Sequence, residues 1–143
     1  MKEFEGKVRL VLKLYPYKYR DYSHIAAEAA LAAHDQGKFW EMHRLLLKRS
    51  PDLDRKSLIR YAQDLNLDVT KFTESLDTMK HSALIERDKK LALDLDLYTT
   101  PTFFINGKKV VGDVPYARLK KLVEQELRLA RKQTSTKTVF SKE

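Results

Sequence analysis

The sequence predicts an α/β or α+β domain, and three observations carry the prediction. Val8, Leu10, Leu12 and Leu14 alternate with Arg9, Val11 and Lys13, the period-2 pattern of a strand. From about residue 23 to 96 the apolar residues recur instead at helical spacing, in four or five segments. Thr102 to Ile105 and Lys108 to Val111 then flank Asn106-Gly107, the strongest short hairpin signal, and a last helical pattern follows. Strand, helices, hairpin and helix in that order bury a sheet against helices.

Pro16 ends the first strand, since it has no N–H to give a ladder. Ser23 is the candidate N-cap of "HIAAEAALAAHDQ", whose alanine density favours helix and lets backbones approach closely, and Gly37 breaks that helix. "KFWEMHRLLLKR" follows as a second helix with Phe39, Trp40, Met42, Leu45, Leu46 and Leu47 available for burial. It stops before Ser50-Pro51, because a residue preceding proline is pushed out of the α region. Asp54 or Asp52 caps "RKSLIRYAQDLNL", in which Leu58, Ile59, Ala62 and Leu65 share a face. Asp68 caps "DVTKFTESLDTM", and "KHSALIERDKKLALDLDL" adds a charged helix with Leu84, Ile85, Leu91 and Leu95 as its inner stripe. After Gly112, Pro115 stands in the first turn of "VPYARLKKLVEQELRLARK", with Leu119, Leu122, Val123 and Leu127 inward. The end, "QTSTKTVFSKE", is polar and expected to fray.

At 143 residues, 43% hydrophobic and 34% charged, the chain has the make-up of one globular domain. Its apolar runs fall well short of the roughly 20 residues of a membrane helix, and "MKEFEGKVRL" has no signal-peptide apolar region. As written the sequence reads as cytosolic, or extracytoplasmic if truncated, and no membrane partner is expected. A net charge of +8 invites a nucleic-acid reading. Basic residues stand beside acidic ones in "IERDKK" and "ARLKKLVEQELRLARK", however, as on solvated helix faces, so nucleic acid is not an expected partner.

His24, His34, His43 and His81 show no i, i+4 pairing and no H-E-x-x-H, and read as solvated or capping residues. No G-x-S-x-G elbow and no glycine-rich phosphate loop occurs, so neither metal nor cofactor is expected. With no cysteine, disulfides, zinc–thiolate sites and thiol nucleophiles are excluded from this chain. Pro101, set between two threonines at the mouth of the hairpin, needs a special reason. It can occupy only a strand's first residue, an edge or a bulge, and X-Pro is where cis peptides occur.

The element order and four of its pieces resemble the DsbA-like branch of the thioredoxin superfamily. The pieces are "VRLVLKLYP", "HIAAEAALAAHDQGKFWEMHRLLL", "LIRYAQDLNLDVTKFTESLD" and "TTPTFFINGKKVVGDVPYARLKKLVEQEL", with "QGKFWEMH" and "TPTFFING" the most specific. The resemblance implies a thioredoxin-like α/β fold with a helical insertion at about 23–96, in a domain of residues 1–130 followed by a polar basic tail, 131–143. It implies that Thr100-Pro101 is a cis-Pro pair, and that Thr99, Thr100 and Pro101 form a groove for an extended polypeptide.

The departure matters more than the match. Such proteins carry a Cys-x-x-Cys pair at the N-terminus of a helix that precedes the strand matching Val8 to Leu14, and nothing upstream of Lys7 corresponds to that helix or to the strand before it. The fold is therefore expected to be N-terminally incomplete. In the family the missing strand lies between those matching Val8–Leu14 and Thr102–Ile105. Direct pairing of the two, insertion of a tail segment such as "TSTKTVF", or strand exchange with a second copy would close the gap, and a homodimer through Val8–Leu14 or the tail at Thr136 to Phe140 is expected. Lys13 is either a relic of an active-site ion pair with an acid on the missing strand, or a lysine reaching solvent. Tyr15, Tyr17, Tyr19 and Tyr22 suggest an exposed aromatic patch. Two functions stay open: the larger part of a thiol–disulfide oxidoreductase whose cysteines lie upstream, or a redox-dead peptide-binding scaffold.

Overall fold

Alanines set the centre of the helical part of the molecule. The structure, a computed structural model describing residues 2–139, divides into two units, Leu12–Asp96 and Met1–Val11 with Leu97–Glu143. In the first, α1 (Ser23–His34) is buried on every side from Ala27 to Ala33. A helix apolar all round belongs in the interior. Its small side chains let α2 (Phe39–Arg49), α3 (Arg55–Asp64), α4 (Val69–Thr78) and α5 (Ser82–Asp94) all pack on it. Met42, Leu58, Tyr61, Phe72 and Leu76 close around Ala29, Ala30 and Ala33 to form the core.

The caps follow from side-chain chemistry. Asp54 accepts the N–H groups of Lys56 and Ser57 at 3.0 and 3.1 Å and so starts α3, while Asp68 starts α4 through the Lys71 N–H at 3.1 Å. Asp52, the other candidate, instead offers its backbone carbonyl to the buried Tyr61 hydroxyl at 2.8 Å. Ser23 is not a cap: it is the first helical residue, and its hydroxyl accepts the Tyr17 N–H at 3.1 Å. Gly37, at φ 73°, ends the turn after α1.

Two apolar stripes are narrower than the sequence suggests. On α2 the i, i+3, i+7 line runs through Phe39, Met42 and Leu46, which leaves Trp40 and Leu47 exposed on the far side. On α5 only Ile85 and Leu84 reach the cluster formed with Ala27 and Leu31, which extends no further along the helix. Leu91 and Leu95 are therefore exposed, while Asp88 and Lys89 are buried.

In the second unit β1 (Thr102–Ile105) and β2 (Lys108–Val111) pair antiparallel, Thr102 opposite Val111 and Ile105 opposite Lys108. Asn106 and Gly107 have φ of 48° and 85°, the two positive values that the tight hairpin turn requires. α6 (Tyr116–Val139) packs on β1, begins after Pro115 and continues past Lys132, where fraying was expected. A short 3-10 turn, Lys2–Phe4, is tied to it by a Glu3–Lys120 ion pair of 2.7 Å.

The expected strand Val8–Leu14 is absent. Among the described residues the sheet holds β1 and β2 alone, so this segment does not pair directly with the hairpin. Alternation fixes which faces a strand would present, but a strand exists only where a neighbour meets its N–H and C=O groups. Leu10 and Val11 are left 50% and 60% exposed. Of the tail segment Thr136 to Phe140, Phe140 lies outside the described residues. Among the described residues no helix is long and apolar enough to cross a membrane.

Candidate functional site

Thr99, Thr100 and Pro101 are contiguous and exposed where the chain enters β1. The Pro101 carbonyl accepts the Gly112 N–H at 2.8 Å, which ties the loop to the far end of β2. Gly112 does this at φ 88°, a conformation that a side chain would strain. The Thr102 hydroxyl donates to the Thr99 carbonyl at 2.6 Å. The Thr100–Pro101 peptide is cis, as is Ser50–Pro51. From Pro101 onward β1 has β2 on one side and, among the described residues, no ladder partner on the other. Such an edge offers backbone donors and acceptors to any extended main chain laid along it.

Lys13 belongs to the helical unit. Its Nζ donates to Asp88 Oδ1 at 2.8 Å, and the Leu14 N–H donates to Asp88 Oδ2 at 3.2 Å. The acid it meets is thus on α5. Two donors, one of them charged, offset the cost of burying the Asp88 carboxylate. With both carboxylate oxygens engaged, the pair anchors residues 13 and 14 to α5.

The most buried polar group is one that no motif in the sequence marks. Glu28, inside "AAEAA", is fully buried on α1. It accepts the Ser75 hydroxyl from α4 at 2.7 Å, the His81 N–H at 3.0 Å, and His81 Nδ1 lies 2.7 Å from its Oε1. His81 Nε2 lies 3.1 Å from Asp35 Oδ2, on which Lys80 Nζ also converges at 2.7 Å. The Lys80 hydrogen bond, helped by His81, holds the Asp35 carboxyl below its ordinary range, and Asp35 in turn raises Lys80. This chain fastens α1 to the α4–α5 turn, where Met79 has the left-handed φ of 47°. His81 is accordingly neither solvated nor a side-chain cap. One signal was available: a single carboxylate in an otherwise apolar alanine helix must have a partner.

Ser75 and His81 do not make a hydrolytic pair. The Ser75 proton goes to Glu28, its Oγ is 3.4 Å from the nitrogen that Glu28 already engages, and the other nitrogen faces Asp35. His43 stacks on Phe39 with ring centroids 5.9 Å apart, and burial, with Arg44 nearby, lowers its proton affinity. Tyr15, Tyr17 and Tyr19 form a ladder of rings at 5.3 and 5.2 Å, with Tyr19 and Tyr22 the exposed members. Among the described residues no three His, Asp or Glu converge as a metal site would require.

A family model described as "Thioredoxin" matches residues 1–125. The Na(+)/H(+) antiporter NhaA 3 of Salinispora tropica is 44% identical over 95 residues, 66% of this chain and 14% of that protein. The Na(+)/H(+) antiporter NhaA of Herminiimonas arsenicoxydans is 33% identical over 130 residues, 91% of this chain and 21% of that protein. The chain thus spans well under a quarter of the length of these curated relatives. A thioredoxin-like oxidoreductase from Silicibacter pomeroyi DSS-3 superposes with a TM-score of 0.76 at 28% identity, over 88% of this chain and 72% of that one. The thiol-disulfide exchange protein alpha-DsbA2 of Wolbachia pipientis gives 0.75 at 24% identity, over 85% and 67%, a likeness of fold.

Proposed function

This chain belongs to the thioredoxin family and has a DsbA-like fold of mostly helices with a small two-stranded sheet, and from that premise we propose that it is a binding module for extended polypeptide, inactive in disulfide exchange by itself. The observation that carries the reading is the open edge of β1, which starts at the exposed Thr99–Pro101 loop. A thiolate is the nucleophile of disulfide exchange, and none of the 143 residues is a cysteine. What remains of the family's chemistry is main-chain recognition. A peptide added along β1 gains ladder hydrogen bonds, with Phe104 exposed beside it. The likeness to segments of antiporters supports a module that works alongside another protein rather than as a free catalyst.

Two measurements test this. Insulin reduction in glutathione buffers is expected to show no turnover above buffer, and turnover would end the redox-inactive reading. Titration with unfolded peptides is expected to shift the NMR amide signals of residues 99–105, and alternate N-methylation of the peptide should abolish the shifts by removing its ladder donors. Equal binding of the methylated peptide, or shifts elsewhere only, would overturn the binding mode.

The same edge suits a second copy. Leu10, Val11, Phe104 and Val111, all about half exposed or more, support a two-fold dimer in which the chains add strands to one another. Light scattering over a concentration series is expected to approach the mass of two chains. A single-chain mass at high micromolar concentration would remove the dimer and leave peptide binding untouched.

A further inference from the structure

The excess positive charge of this protein is not spread evenly. Segments 1–11 and 97–143 hold thirteen Lys and Arg against six Asp and Glu, while residues 12–96 hold fifteen against fourteen. In the helical unit the charges are largely matched, as in Arg55–Asp77, Lys80–Asp35 and Lys90–Asp94. On α6 they are sorted by face. Arg118, Lys121, Gln125, Arg128 and Lys132 recur at intervals of three and four residues, within an arc of about 80° and along about 21 Å of helix. All five are exposed.

The carboxylates of the same helix turn elsewhere. Glu126 is buried, with Lys108 Nζ 2.6 Å from its Oε1, an ion pair without hydrogen-bond alignment, and Glu124 is partly buried. Arg118, Lys121 and Arg128 pair with no carboxylate among the described residues. "ARLKKLVEQELRLARK" reads as mixed in sequence only because inward acids and outward bases alternate along it. Folded, its outer face is cationic, with one aliphatic residue, Leu129, 47% exposed on it.

We propose that this face of α6 docks on an anionic lipid surface. A row of exposed cations, in which Arg118, Lys121 and Arg128 meet no carboxylate among the described residues, meets a sheet of phosphate and carboxylate headgroups without needing any shaped pocket. An aliphatic side chain among them suits the headgroup–acyl boundary, where an interfacial helix places its apolar residues. Nucleic acid is the competing polyanion; a single strand calls for aromatic side chains to stack its bases, and this face has none, while against a duplex backbone the exposed Leu129 would have no apolar counterpart. No helix among the described residues is long and apolar enough to cross a membrane; a surface contact is a different demand and is met by charge placement. Nothing in it requires peptide binding at Thr99–Pro101.

The test is flotation of the full chain with vesicles of phosphatidylcholine alone or with 30% phosphatidylserine. Binding is expected only to the anionic vesicles, weakening as salt shortens the reach of exposed charges. Each of Arg118→Gln, Lys121→Gln and Arg128→Gln should lower partitioning by about fivefold. Glutamine suits an exposed helix position, and circular dichroism verifies the fold of each variant. A triple variant of Lys48, Arg49 and Arg87 to glutamine removes equal charge from the helical unit and should bind far better than the α6 triple variant. Equal loss in the two triples, or no binding to phosphatidylserine vesicles, overturns the proposal. So does duplex DNA that displaces the protein from vesicles at equal phosphate concentration, which would make nucleic acid the partner.

Discussion

Glu28→Ala is expected to cost roughly 3–5 kcal/mol of folding stability, a large part of the 5–15 kcal/mol of a typical domain. The carboxylate is the shared acceptor of the Ser75 hydroxyl, the His81 N–H and His81 Nδ1, all at or near the interior. Truncation strands these groups where water cannot replace the lost oxygen atoms, and the stranded groups rather than the lost carboxylate set the cost. Urea unfolding followed by circular dichroism gives the value. Glu28→Gln keeps the shape and one carbonyl acceptor, and should lose less than the alanine variant. An alanine variant within about 1 kcal/mol of the parent would mean that the network is not what fastens α1 to the α4–α5 turn.

A loss of similar size, about 3–5 kcal/mol, is expected for Phe72→Ala. Phe72 is fully buried on α4 in the cluster that contains Ala29, Ala30, Met42 and Leu58. Its removal forfeits the transfer of an aromatic ring from water and leaves a void that the fixed helices around α1 can only partly fill. Leu47, on the exposed side of α2, makes the comparison: Leu47→Ala should fall within about 0.5 kcal/mol of the parent. Equal losses at the two positions would show that the helices settle differently around α1.

These two positions show what was legible in the sequence. The helices and the hairpin were, because Asp54 and Asp68 cap locally, Gly37 breaks locally, and Asn106-Gly107 dictates a turn with no help from the rest of the chain. The Thr99–Pro101 loop is singled out only through resemblance, since a proline between two threonines has no local explanation, and its role in binding is a proposal. What failed depended on partners distant in sequence. Val8–Leu14 has the alternation of a strand and, among the described residues, no ladder neighbour to make it one. Trp40 and Leu91 have the composition of core residues and the wrong helical phase or too short a neighbour. The Glu28 and His81 interaction joins residues 53 apart in the chain, and only the packing of α1 beneath the α4–α5 turn brings them together. The one-sided charge of α6 was hidden for a related reason: a linear reading averages over faces that a helix separates.

The alanines of α1 also set the direction in which this protein can change. Most protein interiors are lined by large side chains, and their mutational cost lies in the holes left by smaller ones. Ala29, Ala30 and Ala33 have almost nothing to lose and little space to gain, since side chains from α2, α3 and α4 close around them. Every heavier residue at these positions must move a helix, and overpacking of that kind is itself destabilising. Neutral drift through the centre of this fold is thus limited by crowding. The outer helices can trade volume among Leu, Met and Phe, while the helix they surround stays small.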